Sequence, residues 1–119
     1  MAVRVLAIVA LLLWCLQTAA QAQTVGGTYR VNGTNFDGSR YTGTAEITPN
    51  GSTCRIRWHT GNNAWGTCML SRRAFAAHYR MGNEWGLIVY ELQGDGSLAG
   101  VWTIEGRAGA GTEILTPLR

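Results

Sequence analysis

From residue 27 onward the side chains alternate between dry and wet. In "RYTGTAEIT", Tyr41, Gly43, Ala45 and Ile47 fall on one side while Thr42, Thr44, Glu46 and Thr48 fall on the other; in "TCRIRWHT", Cys54, Ile56 and Trp58 oppose Arg55, Arg57 and His59. A period of two marks a strand with one face on a core and one in water. The pattern predicts eight short strands, at about 27–34, 39–48, 53–59, 65–70, 73–80, 85–92, 97–104 and 111–117. Between them fall "FDGS", "PNGS", "GNN", "SR", "MGNE", "QGDG" and "GRAGAG". Asp-Gly and Asn-Gly accept positive φ, which tight antiparallel hairpins require, so the repeated "DGS" at Asp37 and Asp95 and the "NGS" at Asn50 read as hairpin loops. Glycines interrupt every run before a 3.6-residue period is established, so no helix is predicted past residue 22.

Short loops, strands spaced about a dozen residues apart and a single dry face imply an all-β domain. The expected form is a small antiparallel up-and-down barrel, because closure removes the exposed edges of an eight-stranded sheet. A sandwich of two meander sheets is the alternative. The predicted seventh strand puts Leu98, Gly100, Trp102 and Ile104 on one face, mixing small residues with large rings as a tightly curved barrel requires. Tyr29, Tyr41, Trp58 and Trp102 therefore either fill the core or line a ligand cavity.

The sixth strand breaks the rule. "WGLIVYEL" is apolar on both faces, with Leu87 and Val89 on one and Ile88, Tyr90 and Leu92 on the other. A strand apolar on both sides implies a cover on its outside: a partner protein, a returning terminal segment or a second copy in a homo-oligomer. Ile88 and Tyr90 are taken as the partner-facing pair.

The first 22 residues follow a different plan: one charge at Arg4, an apolar run from Val5 to Leu16, then Ala20-Gln21-Ala22. This is the order of a secretory signal peptide, predicting cleavage after Ala22, and the run is short for a membrane span of about 20 residues. Cys15 leaves with the signal, since Trp14 before it is too bulky for a lipidation site. Residues 23–119 then form a single domain with no transmembrane segment, in the periplasm or secreted. Two cysteines remain, Cys54 and Cys68, enough for one disulfide in an oxidising compartment. If the two are cross-strand partners, 56 faces 66 and 58 faces 64, leaving a short loop around Gly61.

Charge narrows the function classes. Nine Arg against seven Asp and Glu follow residue 22, a balance too weak for nucleic acid, and the absence of Lys closes lysine chemistry. His59 and His78 sit on wet faces and make no metal site, Asp37 and Asp95 belong to turns, and Glu46 and Glu113 have no second carboxylate in sequence register. No catalytic residue, metal or cofactor is assigned. The binding candidates are Trp65 and Trp85, beside turns and expected at a rim, and Arg55 and Arg57, which share the wet face of the third strand, with Arg72, Arg73 and Arg80 nearby along the meander. Such a basic patch suits anionic glycans, lipid headgroups or an acidic protein.

The stretch "YRVNGTNFDGSRYTG" at Tyr29–Gly43, with "RIRW", "GLIVYEL", "DGSLAGVW" and the closing "GTEILTP", resembles a family of small secreted alphaproteobacterial proteins, many labelled fibronectin-binding-like or uncharacterised. Cys54 and Cys68 stand where such relatives have ordinary strand residues. The layout is also similar to avidin-like and lipocalin-like barrels, a resemblance that implies binding of small molecules or proteins without catalysis. The reading is a non-enzymatic module that engages an unidentified protein or a small apolar ligand, with a host-matrix adhesin as one form. The alternatives are a self-associating envelope protein and a small hydrolase built from distant carboxylates.

Overall fold

Eight antiparallel strands realise the alternation in the computed structural model, which describes residues 24–119. The predicted signal segment, its cleavage point and Cys15 lie outside the described residues. The strands are β1 (Gly27–Thr34), β2 (Arg40–Asn50), β3 (Thr53–His59), β4 (Asn63–Ser71), β5 (Ala74–Met81), β6 (Glu84–Leu92), β7 (Leu98–Ile104) and β8 (Gly111–Pro117). Each pairs with its neighbour in chain order, and β1 closes on β8 from Tyr29 opposite Pro117 to Thr34 opposite Thr112. The sheet is a closed barrel, not two packed sheets. Closure gives every strand two partners and leaves no free edge.

Inward positions follow the predicted parity, with Ala45, Ile47, Ile56, Trp58, Phe75, Ala77, Tyr79, Leu98 and Ile104 buried. Register explains how so many rings fit. At four inward glycines the ring of the cross-strand partner lies over the backbone: Gly33 opposite Tyr41, Gly86 opposite Tyr79, Gly100 opposite Tyr90 and Gly111 opposite Trp102. A Cβ at any of the four would collide with the ring of its partner. Glycine is therefore required at these positions for space, because the ring lies over the backbone where a side chain would stand.

The two "DGS" loops adopt the same structure at opposite ends of the barrel. In each, the Asp carboxylate accepts from the Ser backbone N–H and hydroxyl, at 2.9 and 2.6 Å, and Gly38 and Gly96 have φ of 85° and 86°. These bonds hold both carboxyls below the usual carboxylate range. The "NGS" loop differs: Asn50 pairs with Thr53, leaving two loop residues with positive φ at Gly51. At one end of the barrel, Val25, just ahead of β1, joins the core with Ile47, Phe75, Leu92 and Leu98, and the Cys54–Cys68 disulfide spans β3 and β4 with Cα atoms 4.9 Å apart. The register around it matches the spacing argument, with Ile56 opposite Gly66 and Trp58 opposite Ala64.

The sixth strand requires a correction. Ile88 and Tyr90 point into the barrel and are fully buried, whereas Leu87 and Val89 are the outward pair, more than half exposed. Ile88 and Tyr90 are not a partner-facing surface. Apolar residues on both faces of β6 hide its phase, and the neighbouring strands fix it: Tyr90 lies between inward Phe75 and Gly100, and Ile88 between inward Ala77 and Trp102.

Candidate functional site

The other end of the barrel is open. There the β1–β2, β3–β4, β5–β6 and β7–β8 loops surround a cavity of about 220 Å³, walled by Tyr41, Trp58, Tyr79 and Trp102, with Asn35 and Asn62 at the mouth and Glu113 at depth. Each wall ring is held by a neighbour. Phe36, from the first "DGS" loop, stacks on Trp102 with centroids 4.8 Å apart, and Trp102 meets Tyr41 edge-on at 6.2 Å. Trp58 meets Tyr79 edge-on at 5.7 Å, and the Tyr79 hydroxyl donates to the Thr103 carbonyl at 2.7 Å. Such contacts leave the cavity walls preformed.

Glu113 is the decisive residue. It projects inward from the middle of β8, is only 4% exposed, and its cross-strand neighbours on both sides are glycines, Gly33 on β1 and Gly100 on β7. The carboxyl thus occupies space that its neighbours leave empty. The Tyr41 hydroxyl donates to its Oε2 at 3.2 Å. Burial pushes the Glu113 carboxyl up to about 7, while Tyr41, Trp58 and Tyr90 act as donors that moderate the rise. Trp58 and Tyr90 face the carboxyl without reaching hydrogen-bond geometry, so the Trp58 indole N–H, the Tyr90 hydroxyl and Glu113 Oε1 are all buried and unpartnered. A group of buried, unpaired polar atoms beside a cavity is costly unless something completes it.

The predicted site residues divide between this cavity and the outer wall. Tyr41, Trp58 and Trp102 line the cavity; Tyr29 packs below it, its hydroxyl donating to the Gly26 carbonyl at 3.2 Å. Trp65 and Trp85 do not line the mouth. They stand outside the wall near the open end, in a cross-strand row that runs Glu46, Arg57, Trp65, Arg80, Trp85. Arg55 lies over the Trp65 ring at 5.9 Å and His78 packs on Trp85 at 5.3 Å. Arg72 and Arg73 form the β4–β5 turn at the opposite end, so they are not part of this row. Tyr79, Asn35, Asn62 and Phe36 were not among the predicted site residues, and sequence reasoning set aside Glu113. Its parity with Gly111 and Leu115 in "GTEILTP" was a usable signal, masked because the outward Ile114 is also apolar.

No protein-family model matches the chain, and no curated protein matches it in sequence. Solved structures do match in fold. A redesigned β-barrel shares 17% identity at a TM-score of 0.71, with 80% of this chain covering 92% of that one. A second redesigned barrel, mFAP1 bound to DFHBI, shares 18% at 0.67, covering 78% and 94%. The REP1-NXSQ fatty acid transporter shares 14% at 0.52, covering 79% and 96%. At these identities the likeness shows the fold: an eight-stranded antiparallel barrel.

Proposed function

We propose that this protein binds a small, largely apolar molecule in the open end of its barrel and does not transform it. The observation that carries the reading is the aromatic cavity with unpaired polar atoms at its floor, since binding sites combine apolar walls with a few placed polar groups. Its volume falls below the roughly 300 Å³ at which sites for drug-sized ligands begin, so the ligand is compact. Barrels of this shape include one bound to DFHBI and one called a fatty acid transporter, which is consistent with the reading. Glu113 is the one carboxylate among the lining residues, with no histidine or thiol beside it, and a hydrolase assembled from paired carboxylates has no support there. The disulfide fits an oxidising compartment, and with the leader-like segment at residues 1–22 we place the protein in the periplasm or outside the cell.

Indole, flat and neutral with one donor, is a suitable probe. It should bind saturably in calorimetry and raise the melting temperature, because a ligand that binds only the native state stabilises it by mass action. Ala64→Phe, which fills the mouth, should abolish both effects while the protein stays folded. Binding indifferent to that substitution would move the site elsewhere.

The outer wall gives the alternatives their location. An adhesin for a matrix protein of the fibronectin kind would have to use the Arg–Trp row, because the cavity admits only a small molecule. Self-association has its own observation: Met69, Ala76, Val89 and Val101 form one outward cross-strand row, with Leu87 beside it. If a second copy covers that row, Val89→Glu will turn a dimer into a monomer in sedimentation.

A further inference from the structure

We propose that the ligand carries a positively charged nitrogen, as in a compact primary amine on an apolar body, and that Glu113 is its counter-ion. The inference rests on the reading of the cavity as a small-molecule site. Three observations lead to it. The lining contains one ionisable carboxylate and no Arg, Lys or His, so an anionic headgroup would find no counter-charge and would be repelled by Glu113. Glu113 is buried at the floor of the cavity and accepts a single hydrogen bond there, from the Tyr41 hydroxyl to Oε2, so the carboxyl keeps acceptor capacity to spare. Finally, the walls are aromatic on several sides, from Tyr41, Trp58 and Trp102, and such faces attract a desolvated ammonium group through their quadrupoles.

The other polar groups agree with this assignment. The Tyr41, Trp58 and Tyr90 donors are directed at the carboxyl and favour its charged form, so they hold Glu113 ready as an acceptor. Asn35 and Asn62 at the mouth supply two further carbonyl oxygens. The arrangement also argues against a fatty-acid anion inserted head-first, whatever the barrel shares in shape with a fatty acid transporter.

The group at the floor titrates near neutrality, so amine binding should be linked to pH. A cation selects the ionised carboxyl. Affinity for an amine that stays protonated should therefore fall by up to about tenfold per pH unit below 7 and level off above it.

The test compares 2-phenylethylamine, 2-phenylethanol and phenylacetate, which share one apolar body, by calorimetry on the wild-type protein at pH 8. The amine should bind at least tenfold more tightly than the alcohol, and phenylacetate should bind weakest. In Glu113→Gln the amine should lose that preference while the alcohol binds as before. The wild-type pH profile for the amine is a second readout that needs no variant. Equal binding of amine and alcohol, or a preference that survives in Glu113→Gln, would overturn the charge assignment and leave the small-ligand reading in place. No binding by any of the three at millimolar concentration would overturn both.

Discussion

At the scale of single residues, the side chain that matters most is one whose burial opposes its charge. The Glu113 carboxyl is raised from an ordinary 4.5 to about 7 by burial. The folded state therefore holds its proton more tightly than the unfolded chain. Its contribution is fully present below about pH 4.5 and is lost as pH rises through 7, by roughly 3 kcal/mol in all. Glu113→Gln should accordingly raise stability at pH 8 and flatten the dependence between pH 4.5 and 7, as read by urea unfolding at a series of pH values. A variant as pH-dependent as the wild type would place the titration in another group. The same residue shows how far a single position can be read from sequence. Its inward parity was masked by the apolar Ile114 beside it, and its isolation was not in the sequence at all, since Gly33 and Gly100 become its neighbours only through a register that joins β8 to both β1 and β7.

Among the elements, β6 separates pattern from phase. Ile88 is packed between inward Ala77 and Trp102, whereas Val89 faces out. Ile88→Asp should cost more than about 4 kcal/mol or prevent folding, as an unpaired charge in a core does, while Val89→Asp should stay within about 1 kcal/mol. Thermal unfolding of the pair checks the phase directly. The β3–β4 hairpin was legible down to its register, because two cysteines, a glycine-centred turn and alternation left one consistent pairing. Its Cys54–Cys68 bond closes a separation of 14 residues, and replacing both cysteines by serine should lower stability by about 3 kcal/mol in urea unfolding. The β1–β2 hairpin was equally legible as an element. What its "DGS" loop does for the site was not, because the stacking of Phe36 on Trp102 joins loop and strand across 66 residues of chain.

For the whole molecule, closure is the property on which the rest depends. β8 seals the barrel against β1, contributes Leu115 to the core and carries Glu113. Deleting residues 111–119 should expose the edges of β1 and β7 together, so the shortened chain should lose cooperative unfolding and elute as assemblies in size exclusion. Elution as a folded monomer would mean that seven strands suffice. By itself the sequence determined the number of strands, their turns, the inward parity of β2, β3 and β7, and the disulfide. Each of these is local: alternation, positive-φ residues and two cysteines act within one hairpin. Tertiary structure settled closure, which the sequence led one to expect, over the two-sheet alternative, and it alone decided which face of β6 turns inward and where the cavity lies. Those depend on pairings between distant segments, above all β1 with β8, which set glycines opposite rings and leave a buried carboxyl between two empty positions.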